Sequence, residues 1–253
     1  MRDVDTQMEA ILNRIKEHGY VLMLDFDGVL APIVARPHRA RMSRRTRHLL
    51  AACARRCRVA VISGRTLADV RTRVGLTDIW YAGNHGVEWS MGKKRGHEKF
   101  SSTVRKSMRA ALNAFEELSE RYPNVVVEDK KLTFSVHFRG LARSRVAQFR
   151  KETERIAKKF GRQLDVAEGD EFLFNVRPLK SRTKGDAVRL ARTCAPAKAV
   201  PIYIGDDTTD EDAFRALPRG ITIRVGARRG SAARFFVRTR RDVDTILETF
   251  AHF

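Results

Sequence analysis

The chain is poor in the residues that mark several large protein classes. Its 253 residues include only three cysteines, Cys53, Cys57 and Cys194. So small and odd a number argues against a disulfide framework. No CxxC pair or nearby histidine completes a zinc quartet. The three read as small thiols in a reducing compartment. No apolar run approaches the roughly 20 residues that span a bilayer, so no membrane partner is expected. The N-terminal MRDVDTQMEAILNRIKEHGY has acidic residues and helical apolar spacing. A signal peptide would show a continuous apolar stretch there, and the expectation is a cytoplasmic protein. Internal repeats and low-complexity linkers are also missing. Acidic residues are scarce: 30 Asp and Glu against 50 Lys and Arg give a net charge of +20. Such a balance can signal a nucleic-acid partner. Here the basic residues are dispersed, as in RMSRRTRHLL, KKRGHEK and RKETERIAKK. Aromatic residues are not interleaved with them as stacking platforms, so no nucleic-acid partner is expected, and the charge itself has no complete physical account.

What is present describes a globular protein. Hydrophobic residues make up 43% and charged residues 32%. The length exceeds a typical domain of roughly 100–150 residues, which leaves room for a second, smaller module. Short apolar runs end abruptly in polar or glycine-containing turns: VLMLDFD (21–27), RVAVISG (58–64), IWYAGNHG (79–86), PIYIGDD (201–207) and ITIRVG (221–226). Continuous runs of this length suit strands buried on both faces of a parallel sheet. Helix-like segments lie between them, at 43–56, 67–74, 184–193 and 209–217. The alternation predicts a doubly wound α/β core. The middle reads differently. A helical apolar spacing over 101–121 is followed by two alternating strands in 125–138. A helix at 144–160 and the strands RQLDVAE and EFLFNVRP come next. The pattern predicts an α+β module inserted into the core, with the core at 1–93 and 179–253 and the insert at 94–178.

Four motifs carry chemistry. Asp25 and Asp27 in LDFDGVLAP follow a buried strand, and Gly28 lets the chain depart sharply. Two carboxylates so spaced can share a magnesium ion, one of them acting as a covalent nucleophile; equally, aspartates can simply cap a strand end. GDDTTDEDAF places Asp206, Asp207 and Asp210 after another strand, in an otherwise basic chain. Hard oxygen ligands of this kind suit magnesium, though acids also favour helix starts. Ser63 ends a strand in VISGR, where its hydroxyl and the neighbouring Gly64 N–H can hold a phosphate oxygen. Lys184 opens a helix and can project a cation at a phosphate. Singly these are weak signals. In order, all sit at carboxyl ends of parallel strands or on adjoining helices, the edge where open α/β sheets bind ligands.

That ordered set resembles the haloacid-dehalogenase phosphatase superfamily over the whole chain. Within it, LDFDGVLAPI, VISGRT, AGNHGVEW, VEDKKLTFSVHFR, Lys184-Gly185 and IGDDTTDEDAF resemble the trehalose-6-phosphate phosphatases. The resemblance implies a Rossmann-like core with an inserted cap that closes on the sugar. It implies magnesium as cofactor and a small-molecule sugar phosphate as partner. It makes Asp25 the nucleophile and Asp27 the general acid, which also offers its carbonyl to the metal. Ser63, Gly64 and Lys184 become phosphate-binding, with Lys184 also catalytic. Asp25, Asp27, Asp206, Asp207 and Asp210 form the metal set, the last two as ligands or as groups that orient Lys184. Arg65, Asn84 and His85, near the site entrance, are expected to bind the substrate, as are Asn175 and, through the sugar hydroxyls, Glu128, Lys130, His137 and Arg139. Two departures stand out. Val29 replaces the usual threonine of DxDGT. Asn175 in FNVRP stands where the family commonly has glutamate, so sucrose phosphate or a glycosyl phosphoglycerate is a rival substrate. A nucleic-acid-binding protein on a phosphatase scaffold is a rival of another class.

Overall fold

The computed structural model describes Met1–Phe253 except residues 35–36 and 170–171. In chain order its elements are β1 (Arg2–Asp3), α1 (Met8–His18), β2 (Tyr20–Leu24), α2 (Arg44–Arg56), β3 (Arg58–Ile62), α3 (Leu67–Val74), β4 (Trp80–Gly83), β5 (Glu88–Met91) and β6 (Lys94–His97). Next come α4 (Ser102–Glu120), β7 (Val126–Asp129), β8 (Phe134–His137), α5 (Arg143–Phe160), β9 (Leu164–Gly169) and β10 (Leu173–Pro178). The chain closes with α6 (Lys184–Cys194), β11 (Val200–Gly205), α7 (Glu211–Ala216), β12 (Ile221–Val225), β13 (Phe235–Val237) and α8 (Arg240–His252). Two units form: Met1–His97 with Arg182–Phe253, and Glu98–Ser181. The divisions fall a few residues later than the expected 93/94 and 178/179. The reason at the first is β6, a polar strand that pairs antiparallel with β5 and so belongs to the first unit's sheet.

The first unit is a doubly wound sheet in the order β1-β13-β12-β11-β2-β3-β4-β5-β6. Pairing is parallel from β1 to β4, and β5 and β6 add an antiparallel edge. The apolar runs are buried on both faces, as their lack of alternation requires. Leu22, Leu24, Val61, Ile202 and Ile204 pack on one face with residues of α1, α2 and α8. Val21, Met23, Ala60, Ile62 and Tyr203 pack on the other with α6 and α7. All five residues of β2 are buried. At about 1.5–3 kcal/mol for each large apolar side chain, this burial outweighs the repulsion among the acids at the strand's end. Val29 is fully buried in the first cluster, so its departure from threonine removes a hydroxyl that would need a partner there. Register sets the functional edge: Leu24 lies opposite Ile204 and Val61, and Ile62 opposite Ala82. The residues that follow, Asp25, Ser63, Asn84 and Asp206, therefore leave one edge together. The chain reverses direction across the sheet between β2 and β11, which makes this the switch point.

The second unit is an antiparallel sheet in the order β7-β8-β10-β9. Phe134, Val136, Phe138, Phe174 and Val176 pack with Phe115 of α4 and Phe149 of α5. The period of two in a strand turns Ser135, His137 and Asn175 to the opposite face. The predicted strand EFLFNVRP begins at Leu173; Glu171 lies outside the described residues. Burial raises the Cys53 and Cys57 thiols to about 12, and all three cysteines are free, which agrees with an inert role. No helix among the described residues is long and apolar enough to cross a membrane.

Candidate active site

Asp25 leaves β2 with its backbone N–H bonded to Ile204 O at 3.0 Å. Its Oδ1 accepts from the Phe26 N–H at 2.6 Å, and its Oδ2 from Lys184 Nζ at 2.6 Å. Lys184 is held there by a capping box at the start of α6, in which the Thr183 and Asp186 side chains satisfy each other's backbone N–H groups. Its ammonium is 2% exposed and also donates to Asp210 Oδ1 at 2.7 Å. Asp210 is completely buried and accepts from three further donors: Tyr203 OH at 2.5 Å, and the Asp206 and Asp207 N–H groups, both at 2.9 Å. One carboxylate thus ties the lysine to the acidic turn.

Oxygen atoms of Asp25, Asp206 and Asp210 lie within 4.8 Å of one another. Burial, reinforced by Asp210 and Asp27 and opposed by Lys184, pushes the Asp25 carboxyl up to about 8. Burial together with Asp25 and Asp210 raises Asp206 well above the carboxylate range. Lys184 is held charged by Asp210 and Asp25 against its own desolvation. One ammonium faces several carboxylates, so the cluster calls for another cation. Asp206 Oδ1 is buried with no hydrogen-bond partner among the described residues. A buried acceptor of that kind is costly unless something binds it. Gly28 lies against the same side chain: its φ is +71°, and a Cβ there would overlap the Asp206 carboxylate. The donor set, all carboxylate oxygen, fits a hard divalent cation. Asp25 and Asp206 keep oxygen capacity for it. Asp210 already accepts two bonds at each oxygen, and its four donors make it a clamp on Lys184. The Asp207 carboxylate was expected in the metal set. It caps the turn at Thr208–Asp210, receiving the Thr208 and Thr209 hydroxyls at 3.4 and 3.2 Å.

Arg65 is buried against the acidic loop. Its Nε and Nη2 grip both oxygens of Asp27 at 2.7 Å each; Nη2 also donates to Pro37 O at 2.8 Å, and Nη1 to Asp69 Oδ2 at 3.0 Å. The guanidinium stacks 5.4 Å from the Phe26 ring. With 6% of the residue exposed, its work is to hold Asp27. Ser63 is buried, and its Oγ accepts from the Arg65 N–H at 3.2 Å. Asn84 and His85 form a left-handed turn, φ +48° and +58°, joined to the Ser63 loop by Asn84 N–H to Arg65 O at 2.7 Å and His85 N–H to Ser63 O at 3.0 Å. Asn84 is completely buried and donates to Glu88. The His85 ring rests on Gly64, where a Cβ would come within 2.6 Å of it. The turn therefore shapes the Ser63–Gly64 loop.

The second unit gathers its own polar set. Glu128 Oε2 meets His137 Nε2 at 3.0 Å and Lys130 Nζ at 3.8 Å. Lys130 Nζ donates to Ser135 Oγ at 2.7 Å, and Ser135 Oγ to Asn175 Oδ1 at 3.0 Å. The sheet register explains the grouping, because Glu128 and Asn175 both lie opposite Ser135. Arg139 is exposed and follows the end of β8. Tyr203, Asp69, Glu88 and Ser135 are participants that motif reading misses. Tyr203 reads as strand core in PIYIG, and nothing local marks its hydroxyl.

A nucleophilic carboxylate, a buried ammonium and an anionic cation site at one sheet edge suit transfer of a phosphoryl group. The chain matches the family model described as Trehalose-phosphatase over residues 23–239. It is 37% identical over 211 residues to the trehalose-phosphate phosphatase of Mycobacterium tuberculosis (strain ATCC 25618 / H37Rv), covering 81% of this chain and 53% of that protein. Against the enzyme of Mycobacterium avium (strain 104), identity is 38% over 207 residues, covering 79% and 51%. The chain thus spans about half the length of the curated relatives it matches. Among solved structures, the C-terminal domain of C. albicans trehalose-6-phosphate phosphatase aligns with a TM-score of 0.85 at 21% identity, covering 97% of this chain and 96% of that one. A. fumigatus trehalose-6-phosphate phosphatase aligns with a TM-score of 0.63 at 26% identity, covering 96% and 97%.

Proposed function

The chain belongs to the trehalose-phosphatase family, and we propose on that premise that it hydrolyses trehalose 6-phosphate to trehalose and inorganic phosphate. The observation that carries the reading is the Asp25–Lys184–Asp210 chain beside the Asp206 carboxylate, with its 2.6 and 2.7 Å contacts. Asp25 attacks phosphorus, the bond to the sugar oxygen breaks, and Asp27 gives that oxygen its proton. A water then attacks the aspartyl phosphate, passes its proton to Asp27, and restores the Asp25 carboxylate as phosphate leaves. Lys184 offsets charge on the equatorial oxygens, and Ser63 with the Gly64 N–H binds one of them. Asp25 and Asp206 would hold magnesium, with the Asp27 carbonyl, and the ion would offset repulsion between carboxylate and phosphate. Because Arg65 grips Asp27 at both oxygens, Asp27 must turn out of that grip to deliver a proton. Recognition of the sugar belongs to Glu128, Lys130, His137 and Asn175 of the second unit.

The test is phosphate release over a panel of trehalose 6-phosphate, sucrose 6-phosphate, glucosyl-3-phosphoglycerate and glucose 6-phosphate with magnesium. The reading requires trehalose 6-phosphate to have the highest kcat/KM. Preference for a phosphoglycerate would transfer the assignment to that substrate, with Asn175 as the first clue.

A further inference from the structure

Ser135 lies between two of the polar groups just described and is 1% exposed, with Lys130 at 7% and Asn175 at 8%. The direction of its hydrogen bonds follows from donor chemistry alone. An ammonium has three donors and no acceptor, so Ser135 Oγ must accept from Lys130 Nζ at 2.7 Å. The hydroxyl's single proton then goes to Asn175 Oδ1 at 3.0 Å. The reverse amide orientation would place a second donor on the Ser135 oxygen and leave the hydroxyl proton without this acceptor. The amide of Asn175 is therefore fixed, and its Nδ2 is turned away from Ser135. That nitrogen has no partner among the described residues and is not sealed from solvent, so it is placed to donate to a ligand. A glutamate at this position could only accept.

We propose that Lys130, Ser135 and Asn175 form a polarised relay whose output is the Asn175 NH2, a donor that recognises an oxygen lone pair of the sugar. Ser135 is a positioning residue: it fixes which end of the amide the ligand meets. The inference rests on the sugar-phosphate reading and deepens it, by making position 175 a donor where the family pattern offers an acceptor.

The experiment compares wild type, Ser135→Ala and Ser135→Thr in steady-state hydrolysis of trehalose 6-phosphate, and follows the Asn175 side-chain NH2 resonances by NMR, assigned by their loss in Asn175→Asp. The relay requires Ser135→Ala to raise KM about 3- to 10-fold, the size of one lost hydrogen bond, with kcat within about twofold. Ser135→Thr, which keeps the hydroxyl, should recover most of the loss. The NH2 resonances should move in the alanine variant and stay near wild type in the threonine variant. Unchanged KM and unchanged resonances in Ser135→Ala would overturn the relay, as would equal impairment of both variants. If wild type hydrolysed an aryl phosphate but not trehalose 6-phosphate, the substrate reading would fail, and the resonances alone would then decide the relay.

Discussion

Replacing Asp210 by asparagine isolates the clamp on Lys184. Asp210 accepts from four donors with none of its surface exposed. Asparagine has one oxygen, enough for the Asp206 and Asp207 N–H groups, and that orientation aims its NH2 at Tyr203 OH and Lys184 Nζ. Tyr203 can turn its hydroxyl to accept; the ammonium cannot. The opposite flip would orphan two backbone N–H groups and is worse. The variant therefore loses one hydrogen bond to a charged group, about 1.5–3 kcal/mol, and one of the two carboxylates paired with a buried lysine. Removing one partner of a buried pair costs about 3–5 kcal/mol; Asp25 remains, and relief of repulsion on Asp25 and Asp206 returns part. A net loss of about 2–4 kcal/mol lowers the thermal midpoint by roughly 5–15 °C. It also lowers kcat at saturating magnesium by at least about tenfold, since each 1.4 kcal/mol of lost positioning is a factor of ten. Thermal unfolding followed by circular dichroism, beside phosphate release, reads both. A midpoint within about 2 °C of wild type with kcat intact would refute the clamp. A large fall in magnesium affinity with little change in stability would make Asp210 a ligand instead.

Metal removal should depend on pH with a definite sign. The Asp25 carboxyl is raised from 3.8 to about 8 in the fold, so its contribution favours the protein at low pH and is lost as pH rises through that window. In EDTA the thermal midpoint should fall between about pH 5 and 8, and magnesium should raise it most at the upper end; a midpoint that rose with pH in EDTA would contradict this. Gly28→Ala should keep the far-ultraviolet spectrum and lose magnesium-dependent turnover, because its Cβ would overlap the Asp206 carboxylate; wild-type activity would show that Asp206 does not need its place. Lys130→Ala should cut kcat/KM for trehalose 6-phosphate by roughly 10- to 150-fold, from about 1.5–3 kcal/mol for a hydrogen bond of a charged group. Hydrolysis of a small aryl phosphate should change little, and an equal fall on both substrates would make Lys130 structural.

The parallel strands were legible because burial on both faces leaves an unbroken apolar run, as in VLML and PIYI. Elements whose cause is not local were harder. β6, KRGH, carries no apolar pattern and forms because β5 supplies its partner. The terminal α8 lies beyond the predicted helix-like segments, although Val243, Ile246, Leu247 and Phe250 mark its buried side. At the site, motif spacing put Asp25, Lys184 and Asp206 on one edge, but not what each side chain holds. Arg65 has the composition of a phosphate ligand, and only the fold brings Asp27 and Asp69 to its guanidinium. The Asn84 amide likewise meets Glu88 inside a left-handed turn. Hydroxyl partners such as Tyr203 and Ser135 are invisible in sequence, because each reads as an ordinary strand residue until its neighbours across the sheet are known.

Asp25 is the residue proposed to carry the phosphoryl group, and trapping that bond is the decisive experiment. Enzyme mixed with trehalose 6-phosphate and magnesium is quenched in acid within the first turnover, digested, and mapped by mass spectrometry. One phosphoryl group should appear on the peptide containing Asp25, absent after chelation and absent in Asp25→Asn, which should also lose turnover while keeping its circular dichroism spectrum. Turnover by Asp25→Asn at a substantial fraction of the wild-type rate, or a phosphoryl group mapped to another residue, would contradict it.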